Sequence, residues 1–175
     1  MNFHPSNPNK QRTSPPPVAF LFKHPAHLIA CGFGSGLSPF APGTAGTLFA
    51  WLTFPLLQLS LPNELHLLVF LLAAFAIGVV ACDRTGRALG VIDHGSIVWD
   101  EIVPFWMVLL FCPAGLLWQT AAFFLFRFFD VFKPAPANYF DQHVKNGFGV
   151  MCDDAVAAGY SVLVLAIAHF TLDSL

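Results

Sequence analysis

Four stretches of this sequence carry no charged side chain and are mostly apolar, and they limit the fold more than any other feature. They cover residues 48–61, 65–82, 102–126 and 155–172. A helix of about 20 residues crosses the hydrocarbon of a bilayer, so 65–82 and 155–172 are long enough to span it. The whole chain is 56% hydrophobic and 10% charged, whereas soluble domains carry about 25% charged residues. The sequence predicts an all-α, multihelical integral membrane bundle.

The stretch 102–126 is predicted to turn back within the membrane rather than cross it. Its middle holds Pro113, Ala114 and Gly115, a combination typical of turns. Lys and Arg near helix ends collect on the cytoplasmic side of a membrane. A hairpin places all eight Lys and Arg on one side, whereas a single crossing separates Arg127 and the cations after it from those before it. We therefore expect a pair of short, re-entrant helices.

The N-terminal part of the chain differs in composition from the apolar stretches. Residues 1–17 contain five prolines and little apolar surface, which predicts a disordered tail. Residues 18–31 are predicted to form a short amphipathic or partly inserted helix that is broken near Pro25, and residues 32–47 a glycine-rich loop. The short stretch 48–61 spans a bilayer only if its helix begins inside that loop or lies beside a thinned region.

The remaining chain is predicted to be one domain with its active site on the cytoplasmic face. The length leaves no room for a separate soluble catalytic module, so residues 18–175 should form a single membrane-embedded helical domain. The loops 32–47, 83–101 and 127–154 then gather on the cytoplasmic side. The sequence has no basic stripe of the kind that binds nucleic acid, so a nucleic-acid partner is excluded. Nothing in the sequence indicates the oligomeric state.

Two acidic doublets stand at the edges of apolar stretches. Asp100 and Glu101 precede 102–126, and Asp153 and Asp154 precede the last stretch. Each doublet alone is explained by capping of a helix. Two doublets on one predicted face, at the edge of hydrocarbon where carboxylates are costly, favour a shared divalent cation. Mg²⁺ prefers oxygen ligands and often needs only one or two carboxylates plus a substrate phosphate, so these four residues are the predicted magnesium ligands.

The segment after the predicted hairpin supplies cations. Arg127 and Asp130 are three residues apart, and Lys133 follows one turn later. The structural interpretation is an ion pair within a helix and an interfacial anchor. The functional interpretation is that Arg127 or Lys133 holds a phosphate, while Asp130 adds a metal ligand or orients the cation. Asp83 and Asp93 are weaker candidates for the site, because an ion pair with Arg87 within a helix explains Asp83 and a turn explains Asp93.

The glycine-rich loop is the predicted phosphate cradle. It contains five glycines in sixteen residues, and glycines let backbone N–H groups approach an anion at the start of a helix. Gly43, Thr44, Gly46 and Thr47 are the predicted phosphate-binding residues. The alternative is a tight interfacial turn in which Thr44 or Thr47 caps the following helix.

Four segments, in this order, resemble the phosphatidylglycerophosphatase A family. They are SGLSPFAPGTAGTL at 35–48, DHGSIVWDE at 93–101, FRFFDVFKPAP at 126–136 and GFGVMCDDAVAAG at 147–159. The sequence departs from the family pattern at Pro104, where a small residue is expected, at Ala135, where Trp is usual, and at Asn146, where Gly is common. These departures affect packing and loop shape more than the acidic and basic groups.

The resemblance implies a multihelical, Mg²⁺-dependent phosphatase of the bacterial inner membrane. Its expected reaction removes the terminal phosphate of phosphatidylglycerophosphate to give phosphatidylglycerol, with the lipid as its partner. The catalytic candidates are Asp100, Glu101, Asp130 and Asp154, and either water or an aspartate could be the nucleophile. Two alternatives are a small transporter or channel, whose acids line an ion path, and an inactive accessory subunit, whose acidic doublets are only caps.

Overall fold

The computed structural model of the protein describes residues 14–174, and its regular elements in that range are helices. Most of the predicted tail, residues 1–17, lies outside this range. Two short 3-10 helices, Val18–Lys23 and Gly32–Leu37, accompany the α-helices. The α-helices are α1 (Pro25–Ala30), α2 (Pro42–Ser60), α3 (Glu64–Leu89), α4 (Trp99–Phe111), α5 (Leu116–Phe132), α6 (Ala137–His143) and α7 (Gly147–Asp173).

The two longest helices, α3 and α7, are long and apolar enough to cross a membrane. Asn63 caps α3 by accepting hydrogen bonds from the N–H groups of Leu65 and His66, and Gly90 ends it in the left-handed conformation. Asn146 caps α7 in the same way. Most residues in the apolar part of each helix are not buried by the protein. Large apolar side chains therefore face outward on both helices, and the prediction of an all-α membrane bundle is confirmed.

The turn predicted at Pro113 to Gly115 is present and separates two helices, while re-entry of this pair into the membrane stays a prediction. α4 has 13 residues, fewer than a membrane span needs, and α5 has 17, at the lower limit of the usual range. Gly115, with a φ of 117°, begins α5 after the turn. Arg127, near the end of α5, lies 3.5 Å from Glu101 in the first turn of α4, measured between Nη1 and Oε1. This contact requires the chain to fold back on itself.

The prediction of a glycine-rich loop over residues 32–47 is wrong from Pro42 onward, because α2 begins at that residue. Proline is favourable in the first turn of a helix, where its missing N–H costs nothing. The small residues that follow let α2 approach α4, since a Cβ atom at Gly46 would lie 2.7 Å from the Cβ of Val98. The helix thereby begins inside the segment predicted as a loop and reaches 19 residues, but among the described helices only α3 and α7 have both the length and the hydropathy of a membrane span.

α4 occupies the centre of the bundle and packs against α2, α3 and α7. Its first eight residues are all buried. Two indole N–H groups connect it to its neighbours: Trp106 donates to the carbonyl of Ala50 in α2, and Trp99 to that of Ala74 in α3. Buried indole groups need such acceptors. The first turn of α4, with both members of its acidic doublet, is consequently held inside the protein.

The charged residues lie mainly at one end of the bundle, called the charged end below. It contains the starts of α2, α4 and α7 and the ends of α3 and α5. Glu64 and Asp173 lie at the opposite end, at the first residue of α3 and the last of α7. Within residues 14–174, the basic residues of the charged end are Lys23, Arg84, Arg87, Arg127, Lys133 and Lys145.

Candidate active site

The first ionic cluster surrounds Arg127 and is called the Arg127 centre. Arg127 Nη1 lies 2.6 Å from Asp130 Oδ2 and 3.5 Å from Glu101 Oε1, and it donates a hydrogen bond to Thr47 Oγ1 at 3.4 Å. The ion pair predicted between Arg127 and Asp130 is therefore confirmed. One guanidinium group joins α2, α4 and α5 in a site where the Glu101 side chain is 2% exposed.

Gly43 lets α2 approach this centre closely. A Cβ atom at position 43 would lie 2.1 Å from Glu101 Oε1 and 3.1 Å from Arg127 Nη1, so any larger residue would displace them. Thr47 is fully buried and donates its hydroxyl to the carbonyl of Gly43. Both residues therefore shape the Arg127 centre, whereas Gly46 packs against Val98.

The capping interpretation of Thr44 and Thr47 is wrong. Ala41 is the N-cap residue of α2, and no side chain caps that helix. Helix geometry leaves the first N–H groups without acceptors inside the helix, and Gly43 and Thr44 are in that first turn. The N–H groups of Gly46 and Thr47 come later and point to carbonyls within α2. Of the four predicted phosphate-binding residues, Gly43 and Thr44 are thus best placed to donate from the backbone.

The second ionic cluster surrounds Lys133 and is called the Lys133 centre. Lys133 Nζ donates to the carboxylate of Asp153 and, at 3.1 Å, to Asp141 Oδ1. Burial alone would lower the pKa of Lys133, but the negative charges of Asp153, Asp154 and Asp93 outweigh it, so the pKa is raised and the side chain stays cationic. Asp141, on α6, has no apolar stretch beside it to signal a role, and sequence reasoning missed it.

The acidic doublets do not act as helix caps. Val98 is the N-cap residue of α4 without a capping side chain, and Asp100 and Glu101 lie in the first turn. Asp153 and Asp154 lie inside α7, well after its start at Gly147, so the expectation that they precede the helix is wrong. The helix begins early because Asn146 caps it and because Gly147 fits tightly against α3, where a Cβ atom would lie 2.0 Å from the carbonyl oxygen of Val79.

The two doublets converge in the protein interior. Asp154 is within electrostatic range of Asp130, Asp100 and Glu101 as well as its neighbour Asp153. All five carboxylates are at most 9% exposed. Arg127 and Lys133 contribute two positive charges against these five, so the ionised cluster would carry an excess of negative charge.

This cluster fits Mg²⁺ in donor type and in charge. Within residues 14–174, no three His, Cys, Asp or Glu side chains are gathered closely enough to hold a metal ion by themselves. Mg²⁺ does not need such a cage, because waters and a substrate phosphate complete its coordination. The two doublets supply the carboxylate oxygens, and two of these residues also pair with cations, Glu101 with Arg127 and Asp153 with Lys133.

A cavity of about 280 Å³ adjoins the Lys133 centre, because Asp141 and Asp153 line both. Asp93 and Lys145 also line this cavity. Asp83, the other weak candidate, lies elsewhere: it pairs with Arg87 at 2.8 Å, as predicted, and accepts a hydrogen bond from the N–H of Gly147.

Comparison with known proteins identifies the family. The family model described as Phosphatidylglycerophosphatase A matches residues 28–169, which include both ionic centres. The chain belongs to the phosphatidylglycerophosphatase A family. The resemblance carried by the four sequence segments is thereby confirmed, and the protein is a phosphatase that acts on a phosphate monoester. No solved structure matches the chain.

Three relatives cover most of the chain. Proteins named Phosphatidylglycerophosphatase A from Haemophilus influenzae and Escherichia coli are 49% and 46% identical to it. The match to the Haemophilus protein covers 85% of this chain and 92% of that relative. The match to the Escherichia protein covers 81% of this chain and 82% of that relative. A Bacteroides thetaiotaomicron protein, provisionally named a phosphatidylinositol-3-phosphatase, is 40% identical over 83% of this chain and 94% of its own length. Membership of an enzyme family excludes the transporter and the inactive-subunit alternatives as the primary role.

Proposed function

We propose that the protein hydrolyses phosphatidylglycerophosphate to phosphatidylglycerol and inorganic phosphate, and that it requires Mg²⁺. The observation that carries this proposal is the convergence of two buried acidic doublets with Arg127 and Lys133 at the charged end of an apolar bundle. The names of two relatives, 49% and 46% identical, support the same substrate.

Arg127 and Lys133 are suited to binding the terminal phosphate. Phosphoryl transfer depends mainly on positioning and on stabilising the charge of the phosphate oxygens. Both cations already contact carboxylates, so an incoming phosphate would share them with Asp130 and Asp153. The backbone N–H groups of Gly43 and Thr44, in the first turn of α2, would add uncharged donors beside Arg127.

Asp100, Glu101 and Asp154 are the candidates to hold Mg²⁺, of which one or two would bind the ion directly and the rest through coordinated water. When bound, the ion would offset the charge of the carboxylates and of the phosphate and acidify a coordinated water. Asp153, the fourth predicted ligand, pairs with Lys133 in the structure and would orient that cation.

The reaction is hydrolysis with water as the nucleophile. The water oxygen bonds to phosphorus while the bond between phosphorus and the glycerol oxygen breaks, and the electron pair of that bond stays on the glycerol oxygen. A buried carboxylate takes a proton from the attacking water and gives it to the glycerol oxygen, which becomes a hydroxyl. Asp130 and Asp154 are the candidates for this base. Asp130 contacts Arg127, and Asp154 lies within electrostatic range of the other acidic doublet.

The proposed location is the bacterial inner membrane, with the charged end facing the cytoplasm. In the range that the structure describes, every Lys and Arg lies at that end, which is the cytoplasmic end by the positive-inside rule. The acyl chains of the substrate would stay in the bilayer while its headgroup reaches the two ionic centres.

Phosphate release from defined lipids by the purified protein in detergent tests this function. We expect release from phosphatidylglycerophosphate that stops when a chelator removes divalent cations and returns when Mg²⁺ is added. Equal release with the chelator would contradict the metal requirement. Because one relative is named for an inositol lipid, phosphatidylinositol 3-phosphate serves as a comparison substrate. A preference for it would contradict the proposed substrate while leaving the phosphatase activity intact.

A further inference from the structure

The cavity beside the Lys133 centre has walls that suit a small polar group. It lies between the turn after α3, the short helix α6 and the first turns of α7. Its volume of about 280 Å³ is just below the range of about 300–1,000 Å³ that is usual for pockets of drug-sized ligands. Its polar lining residues are Asp93, Asp141, Lys145 and Asp153, and its apolar ones include Ile92 and Phe140.

The position of the cavity connects it to the proposed phosphate site. Two of its lining carboxylates, Asp141 and Asp153, are the partners of Lys133. A phosphate that binds to Lys133 therefore lies beside this cavity. The part of the headgroup next to that phosphate would reach the cavity without moving any of the long helices.

The charges of the lining favour a ligand that donates hydrogen bonds. Asp141 and Asp153 are engaged by Lys133, and Lys145 donates to the backbone carbonyl of Asp141. Asp93 Oδ1 is buried and has no hydrogen-bond partner among residues 14–174. A buried acceptor without a donor is costly, so a donor from a ligand would remove that cost. The three carboxylates also disfavour a second anionic group in the cavity itself. In the headgroup of the proposed substrate, the group that can donate a hydrogen bond to Asp93 is the free hydroxyl of its glycerol unit.

We propose that this cavity binds the glycerol unit of the substrate headgroup, and that Asp93 accepts a hydrogen bond from its free hydroxyl. The proposal rests on the proposed function and adds to it a residue that determines specificity. The apolar side chains of Ile92 and Phe140 would contact the carbon atoms of the glycerol. Asp93 acts here on binding of the headgroup.

The contact between Asp93 and the hydroxyl is tested by removing each of the two groups, first separately and then together. The substrates are phosphatidylglycerophosphate and an analogue in which the central carbon of the headgroup glycerol carries hydrogen in place of its hydroxyl. We expect the natural enzyme to prefer the glycerol lipid by roughly ten- to hundredfold in kcat/KM, the range for a hydrogen bond to a charged group. Asp93→Ala should remove most of that preference, and Asp93→Asn, which keeps an acceptor oxygen, should retain part of it.

The ratio of kcat/KM for the two lipids shows whether Asp93 binds the substrate or only supports the structure. If Asp93→Ala lowers kcat/KM equally for both lipids, or if the natural enzyme does not distinguish them, the proposal is wrong. Asp173→Ala, which removes an exposed carboxylate at the opposite end of α7, is the matched control and should leave the ratio unchanged. Failure of the natural enzyme to release phosphate from either lipid would instead contradict the proposed function, so the two failures are separable.

Discussion

The Arg127 centre and the Lys133 centre both pair a cation with carboxylates, but the helices that carry these groups differ in length and burial. Arg127 joins carboxylates and a hydroxyl from α2, α4 and α5, and the side chain of Glu101 there is 2% exposed. Lys133 comes directly after α5, and its own backbone is in the left-handed conformation. Its partner Asp141 sits on the seven-residue α6, with 32% of its side chain exposed. The first centre is built into packed helices, and the second depends on a short element at the surface.

This difference indicates a division of labour. A helix as short as α6 is not stable alone and is held by its packing against α7. We therefore expect the Lys133 centre to adjust when a headgroup enters and the Arg127 centre to keep its geometry. We expect changes at the Arg127 centre to lower turnover and changes on α6 to alter substrate binding.

The largest effect is expected where the two centres meet, at the converging doublets. Asp154→Asn should lower kcat by roughly a thousandfold, because it removes a charge from the proposed metal site and a candidate base. Asp100→Asn should have a similar effect. Phosphate release checks both, with membrane insertion measured in parallel. Asp173→Asn is the control, and near-normal turnover in both site variants would contradict a shared metal site.

The next largest effect separates the two cations. Arg127→Lys keeps the charge but replaces the planar guanidinium, whose Nη1 contacts Glu101, Asp130 and Thr47, and should lower kcat by roughly a hundredfold. Lys133→Arg changes a cation at the more adaptable site and should lower kcat by roughly tenfold at most. Steady-state kinetics on the two variants measure the two losses in kcat. Equal losses would show that the two centres do not differ in rigidity.

A smaller effect tests whether tight packing sets the geometry of the Arg127 centre. Gly43→Ala places a methyl group against Glu101 Oε1, so we expect kcat to fall by roughly tenfold and the unfolding temperature to drop. Gly159→Ala is the control, because nothing lies within 4 Å of a Cβ atom added there. Kinetics and a thermal unfolding scan measure both. An unchanged Gly43→Ala enzyme would show that α2 can move away without cost.

The smallest effect is expected at α6. Asp141→Asn weakens the contact of α6 with Lys133 without altering the buried carboxylates, so KM should rise a few-fold while kcat stays near its normal value. A substrate titration of the variant beside the natural enzyme checks this. A fall in kcat with no change in KM would place α6 in the catalytic step rather than in binding.

Much of the fold could be predicted because its signals are local. Charge-free stretches identified α3 and α7, Pro113 and Gly115 identified the hairpin turn, and the spacing of Arg127 and Asp130 identified their ion pair. Other features were misjudged because packing overrode local pattern. α2 begins at Pro42 within the glycine-rich segment, and α7 begins before its acidic doublet, in both cases where glycines allow close contact with a neighbouring helix.

The sequence by itself determined the chemical class of the site: an apolar helical chain whose few acids and cations cluster beside its membrane stretches. The tertiary structure decided which of these groups share a partner. Arg127 meets Glu101, and Lys133 meets Asp153 and the unforeseen Asp141, while Asp93 and Lys145 line one cavity. Hydropathy and helical spacing act over neighbouring residues, whereas these pairings depend on how helices cross, which is set by side-chain packing between distant segments.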